Sequence, residues 1–346
     1  MKKKILLIGG AGFIGHHLAL RLKREGYDVL VVDALQVNNL VSLRDSRSPL
    51  KQKSFYQHVV GERLDLLQAA EIPLFIEDAR DYVRLSKVAG NFNPDAIFLL
   101  AAVSHASRAN KDPYLTFDHS FRTLENTLDI IKSFPKTHFI YLSSSMVYGD
   151  FSGGTPPSED ADCNPKGIYG ALKLGGEHLV KAYANVFGFP ATIVRPSALY
   201  GPGCISRRVI QVFIENAMQN LSLVVQGNGE EALDFTYITD LLDGLAALTL
   251  NEQAFGKTIN LTRGVAQSIH SVVKEVQVHF PQISMEYIAR DSLNPERGAL
   301  DITKARTLLG YNPKIDLNEG IQSYVSWYRQ RQDWFQSESV LPELNE

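Results

Sequence analysis

The chain has 346 residues, 45% of them hydrophobic and 21% charged, with a formal net charge of −3. That is long enough for two domains, or for one elaborated domain around a sizeable core. The balance excludes a nucleic-acid binder with its concentrated basic face, and two cysteines, Cys163 and Cys204, exclude a disulfide framework and a thiolate metal motif.

The opening "MKKKILLIGG" breaks its apolar run at Gly9-Gly10, too early for a signal segment or a membrane span. A soluble, cytoplasmic protein with no metal and no membrane partner is expected. Ile5–Ile8 reads as a strand buried on both faces of a parallel sheet. Gly9, Gly12 and Gly15 follow, and from Phe13 and Ile14 onward apolar residues recur at helical spacing (Leu18, Leu22) up to a stop at Gly26. Val29–Val32 is a second buried strand, ending in Asp33. Each part has a task in holding a dinucleotide. Gly9 permits the tight turn, Gly12 admits a pyrophosphate to the backbone, and Gly15 lets helix and strand pack closely. The helix start offers unpaired N–H groups to phosphate, and Asp33 can accept both hydroxyls of the adenosine ribose. No arginine stands just behind Asp33 to hold a 2′-phosphate, so NAD is expected over NADP.

Residues 36–71 exceed what one crossover helix requires and read as an extra helix or flap with no assignable chemistry. "IPLFIEDARD" offers a third strand, placing Asp78 and Ala79 at the adenine edge. "DAIFLLAA" offers a fourth, bringing Leu100, Ala101 and Ala102 to the cofactor. "HFIYLSSS" and "FPATIVRPS" offer a fifth and a sixth. This alternation predicts an α/β fold, a doubly wound parallel sheet with ligands at the carboxyl ends of its strands.

In such a sheet the end of the fifth strand faces the nicotinamide. Here it carries Ser143, Ser144 and Ser145, and Tyr169 opens the next helix with Lys173 one turn on. Taken alone, "YGALK" is an ordinary helical pair of a half-buried tyrosine and a surface lysine. Behind a dinucleotide site it can bring a hydroxyl, a phenol and an ammonium to one sugar carbon. Lys173 and the positive nicotinamide are expected to lower the Tyr169 pKa and make it a general base.

With "GGAGFIG", "DARD", "LLAAVSHASRA", "LSSSMVYG", "YGALK", "VRPSALYGPG", "GNGEEALDFTYITDLLDGL" and "LDITKARTLLGYNPKIDLNEGI", the chain resembles the NAD-dependent epimerase/dehydratase family of extended short-chain dehydrogenases, to about residue 330. The resemblance implies a Rossmann-type cofactor domain over 1–196 and 235–262 and a smaller nucleotide-sugar domain over 197–234 and 263–346. It implies a homodimer through helices around 114–133 and 169–186, with Ser104 and His105 near the sugar, a helix-capping or buried role being the equal alternative for His105. Family dehydratases carry an Asp-Glu pair after the catalytic hydroxyl residue. Ser145 and Met146 stand there instead, which favours epimerisation through a 4-keto sugar over dehydration. Decarboxylation, net reduction, and a non-catalytic NAD-binding role are the alternatives. His119–Thr123 replaces the usual Asn-Val-x-Gly-Thr, Ala198 replaces an asparagine, and Leu233 replaces an arginine. The lost cation at Leu233 shifts the task of holding pyrophosphate to Arg297 and one of Arg207 and Arg208. Cys163 and Cys204 read as small core residues, and the polar, acidic end as a loose tail.

Overall fold

The protein is described by a computed structural model covering residues 2–44, 52–103 and 106–336. Ser104, His105 and the acidic end beyond Gln336 lie outside the described residues. The strands in chain order are β1 (Lys4–Ile8), β2 (Asp28–Val32), β3 (Leu74–Phe75), β4 (Ala96–Leu99), β5 (His138–Leu142), β6 (Ala191–Arg195), β7 (Leu223–Gln226), β8 (Ala232–Leu233), β9 (Thr258–Asn260), β10 (Gln267–Ser268) and β11 (Met285–Ile288). Seven of them form one parallel sheet in the order β3-β2-β1-β4-β5-β6-β9.

The apolar runs explain the sheet. Alternate β1 residues enter opposite layers, as the two-residue period of a strand requires. Ile5 and Leu7 pack with Leu18 and Leu22 of the helix Phe13–Arg24 and with Leu241 and Leu245 of the helix Ile238–Leu248. Leu6 and Ile8 pack with Leu85, Leu128 and Val180 on the other face. Ile5, Leu6 and Leu7 are fully buried, each contributing about 1.5–3 kcal/mol over exposure. The chain leaves β1 for β2 and β3 and then returns to β4 on the other side. This reversal opens a crevice at the carboxyl ends of β1 and β4, where such sheets bind ligands.

The third strand is shorter than "IPLFIEDARD" suggests. It is an edge strand pairing Leu74 and Phe75 with Val31 and Val32, and Phe75 and Ile76 are solvent-exposed. Beyond it the chain turns so that Arg80 can bond Asp78. The segment expected to be a helix around 114–133 is helical without a break from Pro113 to Ile131, its coil widened to a π-helix over Asp118–Arg122.

Two small sheets join the segments flanking the sixth-strand connection and the chain's last third. β7 pairs with β11 in parallel and β8 with β10 in antiparallel. Within 36–71 the structure shows helices Leu40–Arg44 and Lys53–Ala69. The longer one buries Phe55, Tyr56, Val59, Val60, Arg63 and Leu67. Phe55 stacks on Tyr328 at 5.5 Å, and the Tyr56 and Tyr328 hydroxyls both donate to Glu215 at 2.7 Å. The insertion is therefore fixed to the helix Val209–Met218 and to the late helix Leu317–Arg329. Among the described residues, no helix is long and apolar enough to cross a membrane.

Candidate active site

The glycine loop is shaped for a backbone-hugging ligand. A Cβ on Gly9, whose φ is +83°, would lie 2.5 Å from the Ala101 nitrogen, and one on Gly15 would lie 2.5 Å from Gly10 Cα. At Gly12 a Cβ would meet only the Gly9 carbonyl, at 3.3 Å, so this position faces open space at the start of the helix Phe13–Arg24. The tight turn at Gly9, the open approach at Gly12 and the close packing at Gly15 fit a pyrophosphate over a helix N-terminus. Gly9, Gly12, Phe13, Ile14, Gly15, Asp33, Asp78, Ala79, Leu100, Ala101 and Ala102 all line this one cleft. Asp33 accepts the Ala11 N–H (3.0 Å) and the Leu35 N–H (2.8 Å), which aim its carboxylate across the end of β2. Asp78 is more committed than its sequence position suggests. Burial would raise its pKa, but Arg80 (2.7 Å) and Gln36 (3.2 Å) outweigh that and hold it below the ordinary carboxylate range.

A second cavity of about 380 Å³ adjoins the first and shares Ile14, Leu100, Ala102 and Arg208 with it. Ser144, Ser145, Tyr169 and Lys173 line it. Local structure explains their convergence. β5 ends at Leu142, and Ser143 and Ser145 stay tied to β6 and its continuation through Val194 and Pro196 carbonyls. Ser144 caps the short turn Ser145–Val147, its Oγ accepting the Met146 N–H at 3.2 Å. The helix Ile168–Phe187 lies flat against this turn because Gly170 and Gly176 carry no side chain. A Cβ there would lie 2.6 Å from the Met146 carbonyl and 2.4 Å from the Tyr141 hydroxyl.

Tyr169, Lys173 and Glu177 follow one another at helical spacing on the buried face. Lys173 Nζ donates to the Leu142 carbonyl at 2.6 Å, and burial pulls its pKa down to about 8 against the pull of Glu177. Glu177 accepts Arg195 Nε (2.9 Å) and Nη2 (2.6 Å) and the Ser143 hydroxyl. Tyr169 departs from the sequence-based expectation of a lowered pKa. In the protein itself burial pushes its phenol up, outweighing Arg208 and a hydrogen bond with Ser144. The Lys173 ammonium donates its hydrogen bond to the Leu142 carbonyl and stands over the Tyr169 ring, 6.0 Å from its centroid.

Arg207, Arg208 and Arg297 line the same cavity from the segments beyond β6. Arg297 Nε is buried with no hydrogen-bond partner, and burial pulls that guanidinium to about 10. Leu233 lines the wall without charge and is buried. Ala198 (φ +33°) and Arg207 (φ +52°) hold left-handed backbone that asparagine or glycine adopts more readily. Such strain collects at binding sites. Cys204 is buried against Tyr324, whose hydroxyl donates to its carbonyl at 3.1 Å, and Cys163 is half-buried near Leu174.

Reasoning from sequence missed Arg63, Gln36, His119 and Thr123 in the first cleft, and Glu231, Asp291 and Asn294 in the second. Arg63 left a signal: a charge on the apolar stripe of Tyr56, Val60 and Leu67. Gln36, Glu231, Asp291 and Asn294 sit on loops, and His119 and Thr123 on the helical segment after β4, whose meeting depends on tertiary structure.

The family model described as "NAD dependent epimerase/dehydratase family" matches residues 5–262. A Bacillus subtilis protein described as an uncharacterized UDP-glucose epimerase is 28% identical over 337 residues, covering 94% of this chain and 97% of that protein. A UDP-N-acetyl-alpha-D-glucosaminuronate decarboxylase of Bacillus cytotoxicus is 28% identical, covering 95% and 99%. The crystal structure of UDP-glucuronic acid 4-epimerase from Bacillus cereus with UDP-glucuronic acid and NAD superposes with a TM-score of 0.83 at 27% identity, covering 95% and 99%. With a cleft whose glycines and Asp33 fit NAD and a family match across most of the chain, the protein belongs to the NAD dependent epimerase/dehydratase family, and NAD is its cofactor.

Proposed function

We propose that the protein is a nucleotide-sugar epimerase working through a transient 4-keto sugar. The observation that carries this reading is the convergence of Ser144, Tyr169 and Lys173 on a cavity continuous with the NAD cleft, with Ser145 and Met146 where a dehydratase carries acids. The two carboxylates lining the cavity, Glu231 and Asp291, come from its far segments and not from the turn after β5. The likeness to UDP-glucuronic acid 4-epimerase supports the reaction type, although the B. cytotoxicus decarboxylase is equally similar in sequence.

In this mechanism Tyr169 Oη takes the proton of the C4 hydroxyl while Ser144 Oγ holds that oxygen in both the alcohol and the ketone. The Lys173 ammonium, fixed on the Leu142 carbonyl, stabilises the phenolate through space. NAD, held by the glycine loop and Asp33, would supply the hydride acceptor and donor for C4. Rotation of the ketone within the cavity exposes its opposite face, and Tyr169 then returns the proton. Arg297 and one of Arg207 and Arg208 hold the nucleotide diphosphate, since Leu233 offers no charge. We assign residues 1–196 and 235–262 to the cofactor domain, and 197–234 and 263–346 to the sugar domain. A homodimer is supported by Tyr114, Phe117 and Val186, all exposed on the two segments that resemblance assigns to the interface.

Incubation with UDP-glucose and UDP-glucuronic acid, followed by chromatographic separation, tests the reaction type. The expected product is a C4 epimer with no accumulated NADH. Release of carbon dioxide or of a 4-keto-6-deoxy sugar contradicts it.

A further inference from the structure

Arg63 belongs to the inserted helix Lys53–Ala69, yet it reaches the dinucleotide cleft. It is 2% exposed and lines that cleft with Gly12 and Asp33. Its Nη2 donates to the Gly203 carbonyl, while Nε–H and Nη1–H are buried with no hydrogen-bond partner. Asp33 attracts it but already receives the Ala11 and Leu35 N–H groups. The two adjacent histidines add no counter-charge. His16 Nδ1 donates to the Gly12 carbonyl at 2.8 Å and His17 Nε2 to the Pro202 carbonyl at 3.0 Å. Burial keeps both neutral near pH 7, pulling His17 down to about 4 and His16 well below its ordinary value, with Arg63 adding repulsion.

A buried guanidinium with two unpaired donors costs folding free energy, and a leucine or methionine would fill the same stripe without that cost. Arg63 lines the cleft that also receives the N-terminus of the helix Phe13–Arg24, with its two unpaired donors just beneath the cleft surface. Both features favour an anion there.

We propose that Arg63 is a phosphate-binding residue of the NAD cleft, its unpaired Nε–H and Nη1–H taking the cofactor's diphosphate alongside the glycine loop. The same guanidinium, through Gly203, ties the inserted helix and the Gly201–Cys204 loop to the loaded cofactor. This gives the insertion a binding task, and it holds whichever reaction the enzyme performs on its sugar.

Titration of cofactor-free Arg63→Met with NADH, NADPH, ADP and adenosine, together with thermal unfolding without ligand, tests the assignment. NADH, NADPH and ADP are expected to bind about 10- to 100-fold more weakly, the scale of a lost charge-assisted pair. Adenosine affinity is expected to stay unchanged, and the ligand-free protein to melt no lower than the parent. Unchanged NADH affinity overturns the proposal and leaves Arg63 a strut to Gly203. An equal loss for adenosine also overturns it, as a distorted cleft, and a loss confined to NADPH assigns Arg63 to a 2′-phosphate instead. Should Arg63→Met fail to fold, Arg63→Lys keeps the charge but lacks the fork. It is expected to weaken NADH several-fold, and parental NADH affinity in that variant overturns the proposal equally.

Discussion

Lys173 Nζ donates its hydrogen bond to the main-chain carbonyl of Leu142, at 2.6 Å, and not to the phenol of Tyr169. The lysine is thus anchored by the sheet and acts on Tyr169 through its charge. That charge is conditional, because burial has pulled its pKa down to about 8. As pH rises through about 8 the ammonium loses its proton and phenolate loses its stabilisation. Turnover on a nucleotide sugar is expected to fall along an alkaline limb near that pH. Lys173→Met should be slower at every pH and lack the limb, which a pH–rate profile of both proteins reads directly. An identical limb in Lys173→Met assigns it to another group.

Tyr169 is the group that moves the substrate proton in this mechanism, and Ser144 only holds the oxygen. Tyr169→Phe is expected to bind NADH normally and to lose roughly two to four orders of magnitude in turnover, the usual scale for removing a general acid–base group. Steady-state kinetics with a fluorescence titration of NADH separate the two effects. Near-parental turnover would remove Tyr169 from the chemistry.

Most of the cofactor cleft is legible in sequence because it is local. Ile5–Ile8, the three glycines, the helix from Phe13 and Asp33 are contiguous, and each is fixed by its own period and turn chemistry. Tyr169 and Lys173 are legible for the same reason, as one helical turn behind a strand. What escaped is set by distant contacts. The pull of Lys173 on the phenol depends on where the Leu142 carbonyl points. The role of residues 36–71 depends on Gly203, 140 positions from Arg63. β3 pairs only Leu74 and Phe75 with Val31 and Val32, a register that hydrophobic pattern does not encode.

Glu177 and Arg195 form a buried pair, at 1% and 3% side-chain exposure, behind the catalytic helix. Removing one partner strands the other charge in the core. Glu177→Ala is expected to lower stability by about 3–5 kcal/mol, measured as a lower urea midpoint with an unchanged slope. A loss under about 1 kcal/mol would mean that water reaches Arg195 and solvates it.

Arg297 brings a buried guanidinium with an unpaired Nε into the sugar cavity, where Leu233 supplies no charge. Arg297→Ala is expected to weaken binding of a cognate nucleoside diphosphate by about 1.5–3 kcal/mol. NADH affinity should remain unchanged. Calorimetric titration with UDP checks this, and an unaltered dissociation constant would leave the diphosphate to Arg207, Arg208 and main-chain amides.

The hydride's path separates epimerisation through a ketone from exchange with water and from transfer of the hydride to another carbon. A UDP-sugar carrying deuterium at C4 should yield the C4 epimer with the deuterium still on that carbon, because the hydride leaves and returns without meeting water. Mass spectrometry of the separated epimer reads this in one experiment. An epimer that has exchanged its C4 deuterium for solvent hydrogen, or a product in which the label has migrated to another carbon, would contradict the proposed mechanism.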